Sequence, residues 1–89
     1  MKTVQLTISG RVQGVYFRAF TQKQAVKYGV TGFVCNKGDG SVEVIACAEA
    51  AKLEPFISWC HKGPMMAKVN KVDITEPLIT EAFSRFEIR

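Results

Sequence analysis

The sequence predicts an α+β sandwich in which two helices cover one face of an antiparallel sheet. Three observations predict it. Apolar residues alternate with polar ones in four short stretches and recur at helical spacing in two others. These stretches follow the order strand, helix, strand, strand, helix, strand. Finally, 89 residues suffice for one two-layer domain and no second, so a single domain is expected over residues 1–89.

Each element has its own signal. Over Lys2–Gly10, Val4, Leu6 and Ile8 alternate with Thr3, Gln5, Thr7 and Ser9, the pattern of a half-buried strand. A glycine-containing break, RVQGV, follows. From Phe17 the period lengthens: Phe17, Phe20, Gln24, Ala25 and Tyr28 predict an amphipathic helix, with Gly29 as its C-terminal cap. Val30–Asn36 reads as the second strand. NKGDGS is a turn in which Gly38 and Gly40 are free to take positive φ, and Val42–Ala48 closes a hairpin. Leu53, Phe56, Ile57 and Cys60 mark a second helix, provided it begins near Ala51 so that Pro55 falls in or next to the first turn. Gly63-Pro64 ends it. Ala67–Ile74 is the fourth strand. Its apolar residues change parity between Val69 and Val72, which predicts a bulge. Pro77 breaks the chain, and Phe83–Ile88 is a candidate short fifth strand. The order βαββαβ is that of the ferredoxin-like sandwich, a scaffold that assigns no function by itself.

Composition excludes several classes. Hydrophobic residues at 47% and charged residues at 22% are those of an ordinary globular chain. No apolar run approaches the length of a membrane span, and MKTVQLTISGRVQG lacks the apolar stretch of a secretory signal, so neither membrane insertion nor secretion is expected. Cys35, Cys47 and Cys60 are odd in number and have no Cys-x-x-Cys spacing. Neither a disulfide scaffold nor a zinc module is expected, and a reducing cytoplasmic compartment is. The net charge of +4 is uneven. Residues 1–40 carry six cations and one anion, the remainder six cations and seven anions. The N-terminal half therefore favours an anionic partner over a cationic one.

Topology brings two of these features together. In a split βαβ unit the first two strands are parallel with one strand between them, so their carboxyl ends lie roughly 10 Å apart on one sheet edge. The loop Arg11–Tyr16 follows the first strand and Asn36 ends the second. A strand, a glycine-bearing turn and a helix start can form an anion cradle from successive N–H groups. Arg18 in the first helical turn fits either a clamp turned back over that loop or a plain surface position; its fork can hold two phosphate oxygens. Asn36 fits either a turn residue bonded to its own backbone or an amide that orients an attacking water.

Ile8-Ser9-Gly10-Arg11-Val12-Gln13-Gly14-Val15-Tyr16-Phe17-Arg18 resembles the first signature of the acylphosphatases at every fixed position. Gly32-Phe33-Val34-Cys35-Asn36, followed by Gly40-Ser41-Val42, resembles most of the second. The resemblance runs the length of the chain, with Ala48, Cys35 and Lys37 as departures and Tyr16 at a position the signature leaves open. It implies an enzyme, a small cytoplasmic hydrolase of the carboxyl–phosphate bond, acting on acyl phosphates and releasing inorganic phosphate. By resemblance, the backbone of Gln13, Gly14, Val15, Tyr16, Phe17 and Arg18 holds the phosphate, the Arg18 side chain clamps it and Asn36 positions the water, with no metal and no cofactor. In-line attack of water on phosphorus is the expected reaction. A monomer is expected.

Other readings fit the residues less well. A Cys-x5-Arg phosphatase loop needs cysteine at position 12, which is Val12. There is no G-x-x-x-x-G-K-[ST] string. An RNA-recognition domain displays aromatics on its open sheet face, whereas the first strand offers Thr3, Gln5, Thr7 and Ser9, so no nucleic-acid partner is expected. The acylphosphatase-like part of a hydrogenase maturation factor shares the loop; the chain, ending at Arg89 without a zinc motif, is expected to be a free-standing enzyme. His61 is expected on the surface at a helix C-terminus, Trp59 partly in the core, and the cysteines buried.

Overall fold

A computed structural model describes residues 1–78 and 81–89. Its elements are β1 (Lys2–Arg11), α1 (Phe17–Tyr28), β2 (Thr31–Asn36), β3 (Val42–Ala48), α2 (Ala50–Lys62), β4 (Lys68–Thr75) and β5 (Phe86–Ile88). The strands form one sheet in the order β4-β1-β3-β2-β5. The predicted βαββαβ order therefore holds, with the fifth strand added at the edge. The sheet is not wholly antiparallel as expected. β5 pairs with β2 in parallel, through Gly32↔Phe86 to Val34↔Ile88. The chain after β4 must cross to the far edge of the sheet before it pairs, and it arrives running in the direction of β2.

The core lies between the helices and one sheet face. Val4, Leu6 and Ile8 of β1, Val34 of β2 and Val42, Val44 and Ala46 of β3 are buried there against Phe17, Ala25, Leu53, Phe56 and Cys60 of the helices. Full burial of a residue such as Phe56 or Leu6 stabilises by about 1.5–3 kcal/mol. Of the residues expected on the core side of α1, Phe17 and Ala25 are buried and Tyr28 packs against the core, whereas Phe20 is exposed and Thr21 is buried in its stead. The buried Thr21 is tolerated because its hydroxyl donates to the Phe17 carbonyl at 2.7 Å. α2 begins at Ala50, one residue before the expected start, which leaves Pro55 as its sixth residue, just past the first turn. Gly29 and Gly63 cap the two helices as predicted, and in the hairpin turn Gly40 takes positive φ while Gly38 does not.

The bulge in β4 is present. Ser9 pairs with Lys71 but Gly10 with Val69, so Asn70 is the extra residue. Gly10 has φ 128°, and a side chain there would overlap the Lys68 carbonyl, so the close approach of the two strands at the bulge requires glycine. Val69 and Val72 can thus both pack on the core despite their opposite parity. On the other sheet face, Phe33 and Ile45 are also buried. Phe83 lies 5.9 Å from the Phe33 ring and the Arg89 guanidinium 4.2 Å from it, covering that patch.

Of the three free cysteines only Cys60 is fully buried; Cys35 and Cys47 are half-buried on the open sheet face, against the expectation that all three are internal. Burial pushes the Cys60 thiol up to about 12, from an ordinary value of 9.0. An unfolded chain therefore ionises this thiol at a lower pH than the folded one. Its contribution to stability is complete below pH 9 and is lost as pH rises towards 12. We expect the stability advantage of the wild type over Cys60→Ala, measured by urea unfolding, to shrink above pH 9 by at most about 1.4 kcal/mol per pH unit; a constant advantage from pH 8 to pH 10.5 would contradict this.

Candidate active site

β1 and β2 both pair with β3, and they do so at the same residue: Val42 faces Ile8 on one side and Asn36 on the other. The two strands are thereby parallel and end on one edge. Asn36 has the parity of Val34, whose side chain is buried under the helices, so it faces the side of the sheet on which α1 begins. Cys35 and Lys37 have the opposite parity and meet Glu43, with Lys37 Nζ 3.5 Å from its carboxylate.

The loop between β1 and α1 is pinned by its own sequence. Val12, Val15 and Phe17 are buried, whereas Gly14 and Tyr16 are exposed. Phe17 packs against Trp59 at 5.7 Å between ring centroids, and its ring lies where a side chain on Gly63 would sit. Between these anchors the backbone is left-handed at Gly14 (φ 76°) and again at Tyr16 (φ 61°), the one non-glycine residue with positive φ among the described residues. Gly14 has open space around its Cβ position, so glycine is needed there for conformation rather than for room. Alternation of left-handed with ordinary residues turns successive N–H groups to one side and makes a concave anion site. α1 starts directly behind it with no side-chain cap and no acidic residue in its first turn, so the positive end of the helix is left open.

A depression of about 390 Å³ opens at this point. Gly14, Tyr16, Phe17, Arg18 and Asn36 line it, together with Val12, Ala19 and Ile88. Of the expected site residues, Gly14, Tyr16, Phe17, Arg18 and Asn36 are therefore brought together, from positions up to 22 apart in the chain. The Val15 side chain does not line the depression but anchors the loop in the core. The Gln13 side chain does not line it either. Its side-chain amide instead donates to the carbonyls of Lys37 and Ser41, at 2.8 and 2.9 Å, and so ties the loop to the β2–β3 hairpin. That hairpin is fastened in turn by Asp39, which accepts from the Ser41 hydroxyl at 2.6 Å and from its N–H at 2.9 Å. These bonds hold the Asp39 carboxyl below the usual carboxylate range.

Arg18 borders the depression beside the loop and also reaches β5. Its Nη1 donates to the Arg89 carbonyl at 3.3 Å, which draws it towards the end of β5. Among the described residues no side-chain carboxylate pairs with it, whereas Lys37 and Arg89 are both paired with glutamates. The guanidinium borders the depression as a cation. Cys35, next to Asn36, is held above its ordinary thiol value by burial and by Glu43, the opposite of what a nucleophilic thiolate needs. No group of three or more potential metal ligands occurs among the described residues. His61 is exposed in the last turn of α2 and Trp59 is partly buried, both as expected.

Sequence reasoning missed Ile88 and the Gln13 side chain. Ile88 reaches the depression only because β5 pairs in parallel beside β2, which no periodicity announces. The signal at Gln13 was available in part: a long polar side chain lies between two buried valines, where it must find a partner.

Known proteins give an independent comparison. The family model described as Acylphosphatase matches residues 4–88. An acylphosphatase of Methylococcus capsulatus is 39% identical over 88 residues, covering 99% of this chain and 96% of its own. Another, of Halorhodospira halophila, is 49% identical over 82 residues, covering 92% and 88%. The crystal structure of acylphosphatase from Bacillus subtilis has a TM-score of 0.94 to this fold at 36% identity, covering 100% of this chain and 99% of that one. No helix among the described residues is long and apolar enough to cross a membrane.

The Gln13 bridge makes a separate prediction. Gln13→Ala removes two hydrogen bonds that join loop and hairpin, so unfolding free energy is expected to fall by about 1–2 kcal/mol. Urea denaturation checks this; an unchanged midpoint would show that the bridge holds nothing together.

Proposed function

The chain belongs to the acylphosphatase family and hydrolyses the carboxyl–phosphate bond of acyl phosphates, and from that premise we propose how its residues divide the work. The phosphate is held by the backbone N–H groups of Gln13, Gly14, Val15, Tyr16, Phe17 and Arg18, at the open end of α1. The Arg18 guanidinium clamps two of its oxygens. Asn36 accepts a hydrogen bond from water through its amide carbonyl and aims that water at phosphorus. The single observation that supports this division is the convergence of Arg18, Asn36 and the left-handed Gly14 turn on one depression.

The reaction asks little more of the protein. Water oxygen bonds to phosphorus as the bond from phosphorus to the acyl oxygen breaks, in line. The products are a carboxylate, which leaves readily without an acid, and inorganic phosphate. An amide is not a base at neutral pH, so the water proton passes to a phosphate oxygen. Catalysis is then positioning together with charge stabilisation on the equatorial oxygens. The loop is suited to that because Val12, Val15 and Phe17 fix it before substrate arrives. Three free cysteines accord with a reducing compartment, and we place the enzyme in the cytoplasm as a monomer.

Steady-state hydrolysis of benzoyl phosphate tests the division. Arg18→Ala is expected to lower kcat by a factor on the order of a thousand, several kcal/mol of transition-state stabilisation. Asn36→Ala is expected to lower kcat with little change in KM, and EDTA to leave the wild-type rate unchanged. Full activity in folded Asn36→Ala would reject the water-orienting role, and loss of turnover in EDTA would reject the charge assignment to Arg18 and the loop.

A further inference from the structure

The depression that holds Arg18 and Asn36 does not end at the loop. A second one, of about 370 Å³, adjoins it and is lined by Tyr16, Ala19, Phe20 and Lys23. Tyr16 and Ala19 border both. The four residues are spaced i, i+3, i+4, i+7, so they form one exposed strip along the start of α1. Two of them are aromatic. Tyr16 is 77% exposed and Phe20 43%, neither buried as the helical spacing of Phe20 would suggest. Tyr16 also sits in the left-handed region, strained where glycine would not be, with its ring exposed at the junction of the two depressions.

From this we infer that Tyr16, Ala19, Phe20 and Lys23 form the subsite for the acyl group, and that it favours aromatic acyl phosphates. The inference rests on the phosphate cradle proposed above. In-line attack places the leaving acyl oxygen away from the water that Asn36 holds. The shelf contains no β2 residue and shares two residues with the phosphate depression, so an acyl group leaving the cradle along α1 runs onto it. An aromatic ring on this shelf has Tyr16 and Phe20 to pack against, with Lys23 at its border. A methyl group has no ring to pack on them. The other outlet, past Ile88, is lined by Gln22, Arg85, Phe86 and Glu87, where the Glu87 carboxylate is 3.6 Å from Arg85 and a polar surface receives the ring. That surface offers an aromatic group less.

The test compares benzoyl phosphate with acetyl phosphate for wild type, Phe20→Ala and Gln22→Ala. Phe20 is exposed and lies outside the phosphate cradle, so the variant keeps its fold and its chemistry. Phe20→Ala is expected to lower kcat/KM for benzoyl phosphate about five-fold, through KM, and to leave acetyl phosphate unchanged. Phe20→Tyr should restore the benzoyl value. An equal fall for both substrates, or for neither, would overturn the subsite. So would a benzoyl-specific loss in Gln22→Ala with none in Phe20→Ala, which would send the acyl group towards β5. A wild type that turns over neither substrate would instead strike the phosphate cradle itself, and the subsite with it.

Discussion

Val42 is flanked in the sheet by Ile8 and Asn36, and the site depends on that shared pairing. Because β1 and β2 are both antiparallel to β3, they are parallel to each other and finish on one edge. A shift of β2 by one residue would turn Asn36 to the open face and Val34 out of the core. The register is held by apolar residues rather than by the site: Leu6, Val34 and Val44 are each fully buried on the helix side. Core packing thus sets where the asparagine amide points, although the asparagine itself contributes nothing to that packing.

The loop follows the same logic. Its exposed positions, Gly14 and Tyr16, are those left over once Val12, Val15 and Phe17 have been buried. A loop fixed in this way holds its backbone in place through core packing alone. Gln13 adds a tie across to the hairpin that follows Asn36, and Asp39 tightens the hairpin through Ser41. The two halves of the site are therefore joined three ways: through β3, through the core and through the Gln13 amide. Arg18 is tied more lightly: it has no side-chain carboxylate partner among the described residues and makes one bond of 3.3 Å, to the backbone oxygen of Arg89.

That last contact gives the edge strand a part in the site. β5 is three residues long, yet Ile88 lines the depression, Arg89 accepts from Arg18, and Gln22 of α1 donates to the Phe86 carbonyl at 3.0 Å. On the open face Arg89 stacks on Phe33 while its guanidinium bonds Glu81 at 2.7 Å. The end of the chain is thus anchored by a cation over an aromatic ring and by ion pairs, and its backbone oxygen is delivered to the Arg18 guanidinium.

Much of this was legible in the chain. Alternation over β1 and β3, Gly29 and Gly63 after the two helices and the parity change at Val69 and Val72 each report local geometry, and each element formed where they placed it. The motif around Gln13–Arg18 and Asn36 pointed to the family that the model over residues 4–88 matches. What the sequence could not decide depends on partners distant in the chain. Phe20 has the spacing of a core residue but is exposed, because Thr21 occupies the buried line once its hydroxyl is satisfied by Phe17. The parallel pairing of β5, the arrival of Ile88 at the site, the Gln13 bridge and the turn of Arg18 towards Arg89 all follow from where separate segments meet. Local periodicity determines which side of a strand or helix is apolar. Only the assembled sheet decides which polar side chains meet across its edge, because that depends on contacts no short window of residues contains.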